Sequence, residues 1–117
     1  MAATWNRNVY DVGPHLHVTI TGKNPAGRKD TADDVTTFPT DRAGTGAKIN
    51  YHAQTGVTFT GISMKDGGAI PAELDVSVTK KLLRLTIRKN APDRTRWSYY
   101  VDGVGKSTQD PRIHNHL

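Results

Sequence analysis

Four of the five histidines fall into two pairs of the form His-x-His, His15-x-His17 and His114-x-His116. Alternate residues of a strand share one face, so each pair sets two imidazoles side by side, a spacing that one zinc or nickel ion accepts. If the last segment runs beside the first strand, four ring nitrogens converge, with Asp11 or Asp110 as an oxygen ligand. Exposed strand faces also take histidine freely, and solvated surface histidine is the plainer account of so short a motif.

A second candidate is basic. Between Lys80 and Arg96 there are seven Lys or Arg residues against one acid, Asp93, and Trp97, Tyr99 and Tyr100 follow at once. Cationic side chains beside aromatic rings are what a single-stranded nucleic acid requires, the charges for phosphates and the rings for bases. Arg84, Arg88, Lys89, Arg94 and Arg96 are the candidate contacts. The bland reading is a solvated strand face whose charge deters aggregation, with Trp97, Tyr99 and Val101 turned inward.

Other chemistry finds less support. Gly103-Val104-Gly105-Lys106-Ser107-Thr108 resembles the end of a phosphate-binding loop, yet Tyr100 stands where the first glycine belongs and no helical pattern follows. A strand-end turn is expected there. Ser63, Ser77, Ser98 and Ser107 lie in no nucleophile elbow. An extended backbone sends the neighbours Asp33 and Asp34 to opposite sides, and Glu73 is the only glutamate, so paired-carboxylate chemistry is also unsupported.

The elements that must position these residues read as strands. In 15-HLHVTITG-22, Leu16, Val18 and Ile20 alternate with His15, His17, Thr19 and Thr21, the pattern of a half-buried strand. Residues 23–46 are loop-rich, with a short apolar island from Val35 to Phe38. The segments 47-AKINYHA-53 and 57-VTFTGISM-64 are expected to form a hairpin across Gln54-Thr55-Gly56. In 74-LDVSVTKKLLRLTIRKN-90, pairing Val78 with Leu83, Val76 with Leu85 and Leu74 with Ile87 gathers the apolar residues on one face. The opposite face is then polar, with Ser77 across from Arg84 and Asp75 across from Thr86. Lys80-Lys81 is an odd choice for the turn, since primed turns prefer Gly or Asn. A further strand follows at 95-TRWSYYV-101.

Composition agrees with strands. Ten Asp against one Glu, and 15 Thr against six Leu, favour turns and pleated surfaces over helices. At 117 residues the chain makes one domain, 1–117. There is no cysteine, which excludes disulfide scaffolds, Cys-based metal sites and thiol catalysis. No run reaches the roughly 18 apolar residues of a membrane span, and the opening residues lack a secretory h-region. A soluble, cytoplasmic protein is expected. Its net charge of +5 biases encounters towards anionic partners.

The run from 58-TFTGISMKDGG to LRLTIRKN, then 97-WSYYVDGVG and 110-DPRIHN, resembles small bacterial β-sandwich proteins of the DP-EP family. The shared close is Asp110, Pro111, Ile113 and Asn115. The resemblance covers about half the chain, implies an immunoglobulin-like or jelly-roll sandwich, and carries no catalytic or binding residue with it. The fold expected is an all-β, two-layer antiparallel β-sandwich. Its core should hold Val18, Ile20, Ile49, Phe59, Val76, Val78, Leu83, Leu85, Ile87, Trp97 and Tyr99. The function expected is that of a non-enzymatic binding or assembly module without a cofactor, the alternatives being single-stranded nucleic-acid binding through the Lys80 to Arg96 surface, or zinc or nickel at the histidine pairs. A sheet-rich chain with edges to pair is expected to form a homo-oligomer.

Overall fold

The computed structural model describes residues 3–25 and 31–115, which fold into nine strands and no helix. In chain order these are β1 (Thr4–Val12), β2 (His15–Ile20), β3 (Asp34–Thr37), β4 (Ala47–Ala53), β5 (Phe59–Met64), β6 (Leu74–Val78), β7 (Leu82–Ile87), β8 (Arg96–Gly103) and β9 (Arg112–Asn115). A five-stranded sheet ordered β2-β1-β4-β7-β6 packs on a four-stranded sheet ordered β3-β9-β8-β5. This is the all-β sandwich that composition implies. No helix among the described residues is long and apolar enough to cross a membrane.

Pairing is antiparallel except at two places, where β1 runs parallel to β4 and β3 parallel to β9. A fully antiparallel sandwich was expected. Parallel neighbours need a long crossover, and the chain has one in each case, from Val12 to Ala47 and from Thr37 to Arg112.

The β6–β7 hairpin forms in the register read from the sequence, Val78 opposite Leu83, Val76 opposite Leu85 and Leu74 opposite Ile87. Its Lys80-Lys81 turn works without glycine because other contacts hold it. Thr79 Oγ1 accepts from Leu82 N at 3.0 Å, Lys80 O accepts from Phe59 N, Lys81 O accepts from Ala53 N, and Lys81 Nζ donates to Val57 O at 2.7 Å.

The expected hairpin between β4 and β5 does not form. β4 is central in the five-stranded sheet, with β1 on one side and β7 on the other, whereas β5 pairs with β8 in the other sheet. Gln54 to Gly56 therefore lead the chain from one sheet to the other. With both hydrogen-bonding sides of β4 already occupied, the next strand must leave the layer.

The core gathers Trp5, Val9, Ile49, Tyr51, Leu83, Leu85 and Ile87 from the larger sheet and Val35, Phe59, Tyr99, Val101 and Ile113 from the smaller. Val18, Ile20, Val76 and Val78 are less buried than expected because β2 and β6 are edge strands, where cover runs out. Arg7 is fully buried at an inward position of β1. It donates through Nε to Ala32 O, through Nη1 to Asn6 O and Asn24 Oδ1, and through Nη2 to Thr31 O, at 3.0 to 3.3 Å. These bonds seat the β2–β3 connection against the larger sheet.

Candidate functional site

His15 and His17 lie in one layer and His114 in the other. His15 and His17 are on β2, beside β1, while His114 is on β9, between β3 and β8. β2 and β9 are not neighbours, so among the described residues His15 and His17 are not brought beside His114. His116 lies outside the described residues. His15 Nε2 contacts Gln109 Nε2 at 3.1 Å, and His114 Nε2 is 3.8 Å from Asp34 Oδ1. The two expected oxygen ligands face cations instead, Asp11 with Lys106 at 2.5 Å and Asp110 with Lys65 at 3.8 Å. Among the described residues no three His, Asp or Glu side chains are grouped to hold a metal ion.

The basic stretch divides in the same way. Arg84 projects from the outer face of β7 and donates through Nε to Asn50 Oδ1 at 2.8 Å. Arg88 forms a two-bond pair with Asp75 at 2.8 and 2.9 Å, holding that carboxyl below its usual range chiefly by hydrogen bonding. Lys89 and Arg94 sit in the β7–β8 connection, and Arg96 is on the outer side of β8, in the other sheet. These five cations do not share a face. Trp97 and Tyr99 are core residues, so only Tyr100 of the three aromatics faces outward, with the Lys65 ammonium 5.5 Å from its ring centroid. Outward and inward residues alternate along β8, which takes the two best stacking platforms into the interior.

Gly103 to Ser107 form the expected strand-end turn. Gly103 N donates to Lys106 O, and Ser107 Oγ donates to Asp102 Oδ1 at 2.6 Å. A cleft of about 450 Å³ beside this turn is lined by His15, Ser63, Tyr100, Asp102, Gln109 and Asp110, among others. Several of its polar groups already engage one another, as Ser107 does Asp102 and Gln109 does His15.

The feature that the sequence reading passed over is the outer edge of β6, which pairs with β7 alone. Arg88 N donates to Glu73 O and Thr79 N to Leu82 O, so residues 73, 75, 77 and 79 direct their backbone groups towards β7. By the same alternation Leu74, Val76 and Val78 direct theirs away. Leu74 N finds Pro71 O, whereas the N–H and C=O of Val76 and Val78 have no backbone partner among the described residues.

The side chains at this edge are apolar and incompletely covered. Across the hairpin Leu83 and Leu85 are 0% exposed, yet Val78 is 38% exposed and nearby Ile70 43%. The smaller sheet ends at β5, which lies against β7 and β6 and leaves Val78 exposed. An edge with free backbone groups, an exposed Val78 and a partly buried Val76 can accept another strand. The sequence signal for it was a five-residue amphipathic strand with acids at its start, Glu73 and Asp75, and bases just after its end, Lys80 and Lys81.

Comparison of the chain with models of protein families, with curated proteins and with solved structures yields no match.

Proposed function

We propose that this protein is a non-enzymatic binding and assembly module that associates through the open edge of β6 and forms a homo-oligomer. The observation that carries this reading is the pair Val76 and Val78, whose backbone groups face outward from a sheet edge whose inner surface is apolar. Strand addition satisfies those groups and removes valine side chains from water together. Side chains that chemistry would need are engaged in structural bonds, as His52 is with Asn6 and Ser107 with Asp102. The same proposal takes the chain to be a bacterial, cytoplasmic member of the immunoglobulin-like sandwiches, kin to the DP-EP family. Supporting the kinship, Ile113 and Asn115 of the shared close are buried and Pro111 O accepts from Tyr99 N.

Light scattering behind size exclusion tests the assembly. The native chain is expected to rise in mass over a hundredfold range of concentration, and Val78→Pro is expected to need about thirtyfold more protein for the same rise while keeping its melting temperature to within a few degrees. The substitution removes an outward N–H and no bond to β7. A strictly monomeric native chain overturns the proposal.

One observation favours a second reading, binding of an anionic polymer such as single-stranded nucleic acid. The outer face of the larger sheet presents Lys48 and Arg84, and Asp75 on that face is already held by Arg88. Affinity for an oligonucleotide would then fall with salt, with a log–log slope of about 0.7 per phosphate contact, and Arg84→Asp would flatten it. No mobility shift at low salt ends this reading.

A further inference from the structure

We infer that the strand added to β6 is the β6 of a second copy, antiparallel about a two-fold axis that passes between the two Ser77 residues. This rests on the proposal that the β6 edge is where the protein associates, and it names the partner and the register. The inference begins from backbone geometry. An antiparallel pair exchanges two hydrogen bonds only between residues that both direct their groups at the partner. On β6 the free ones are Val76 and Val78. Placing Val76 of each copy opposite Val78 of the other uses all four free groups of each strand in four bonds. Shifting the pairing so that Val76 meets Val76 instead brings Leu74 opposite Val78, and Leu74 N already donates to Pro71 O.

Side chains agree with that register. Val76 and Val78 lie on the inner face, where the exposed part of Val78 in one copy meets Val76 in the other, so each valine gains the cover that β5 does not supply. On the outer face Ser77 meets Ser77, two small exposed residues that allow the close approach of a non-hydrogen-bonded pair. Asp75 of one copy falls opposite Thr79 of the other, and Glu73 beside Lys80, the exposed residue that opens the turn. A strand that is acidic before its midpoint and basic after it is complementary to itself only when it pairs antiparallel. Two identical patches related in this way form a closed contact, so assembly stops at the dimer.

The chain has no cysteine, which gives a clean test. Non-hydrogen-bonded antiparallel neighbours have Cα atoms about 4.5 Å apart, within the span of a disulfide. Ser77→Cys is expected to yield a covalent dimer on mild oxidation at least about tenfold faster than Thr4→Cys, an exposed position on β1. Glu73→Lys and Lys80→Glu should each weaken self-association, because each sets like charges beside one another. Mixing the two variants should restore a heterodimer, since positions 73 and 80 then carry opposite charges at both contacts. Val78→Pro deletes two bonds per dimer, a weakening of about thirtyfold at the usual strength of a hydrogen bond.

If the native chain associates and Val78→Pro weakens it, yet Ser77→Cys couples no faster than Thr4→Cys, the register is overturned while edge assembly stands. If the charge variants fail to recover on mixing although each remains folded by circular dichroism, the antiparallel self-pairing is overturned too. A monomeric native chain removes both the inference and the proposal beneath it.

Discussion

A single inward arginine decides how readable the first strand is. Along β1 the inward positions are Trp5, Arg7 and Val9, and the charge in the middle breaks the apolar alternation by which β2 was recognised. Arg7 is not a surface residue turned in by accident, since its donors go to the carbonyls of Thr31 and Ala32 and to the Asn24 side chain. Arg7→Ala is expected to cost about 3–5 kcal/mol in denaturant unfolding, because those buried acceptors lose their partner together. Amide exchange at Arg112, whose N–H is held by Asp33 O, should quicken with it. Leu85 and Arg84 offer the complementary contrast at adjacent positions of one strand. Leu85→Asp places a carboxylate in the core, and unfolding by circular dichroism is the expected result. Arg84→Asp forfeits a bond to Asn50 on a solvated face and should shift stability by no more than about 1 kcal/mol. Equal effects at the two positions would refute the assignment of faces.

Between elements, legibility depends on how many partners compete for a strand. The β6–β7 hairpin could be read to the residue because β7 has one sequence-adjacent partner, and a slip of one position would turn every valine and leucine outward. β4 could not be placed that way. Its inward residues Ile49 and Tyr51 fit a hairpin with β5 as well as a facing sheet, and only the long-range pairing with β1 and β7 decides. The candidate site was legible in part for the same reason. Alternation and charge along β6 are in the sequence, but that no strand among the described residues lies beyond β6 is a property of sheet order. The entry to β4 supplies a test of that order. Gly46 has φ +98°, and a Cβ added there would lie 2.5 Å from Ile87 O, the carbonyl of the strand opposite. Gly46→Ala should therefore destabilise by about 2 kcal/mol or more, from a strained backbone together with displacement of β7. Gly44→Ala, where an added Cβ meets nothing within 4 Å although φ is again positive, should lose the smaller part that strain alone accounts for. Melting curves of the two variants compare the terms.

The two sheets are joined at their centre by a polar contact within an apolar core. Tyr51 of the larger sheet and Tyr99 of the smaller bring their hydroxyls to 2.5 Å, both side chains fully buried. Desolvation pushes Tyr51 up to about 12 and is also the main cause that holds Tyr99 well above the usual tyrosine range. A raised value in the folded state makes stability fall with alkali, because above about pH 10 the unfolded chain releases protons that the folded one retains. The contribution is complete below that pH and is lost progressively as pH climbs towards 12, on the order of 3 kcal/mol for Tyr51 alone. Tyr99 adds to the loss in the same direction. Since the pair spans both layers, its ionisation should separate the sheets rather than loosen one strand. Tyr51→Phe alone leaves the Tyr99 hydroxyl buried without its partner and should cost about 1–3 kcal/mol at neutral pH. The double substitution Tyr51→Phe with Tyr99→Phe removes both hydroxyls, should recover most of that cost, and should blunt the alkaline loss. Stopped-flow recording of tyrosinate absorbance beside circular dichroism after a jump to alkaline pH reads the order of events. Part of the native absorbance change should arrive only with loss of the sheet signal, and that delayed part should vanish in the double variant. If all tyrosinate forms before the sheet signal moves, the core admits hydroxide without opening, and the hydroxyl contact does not couple the two sheets.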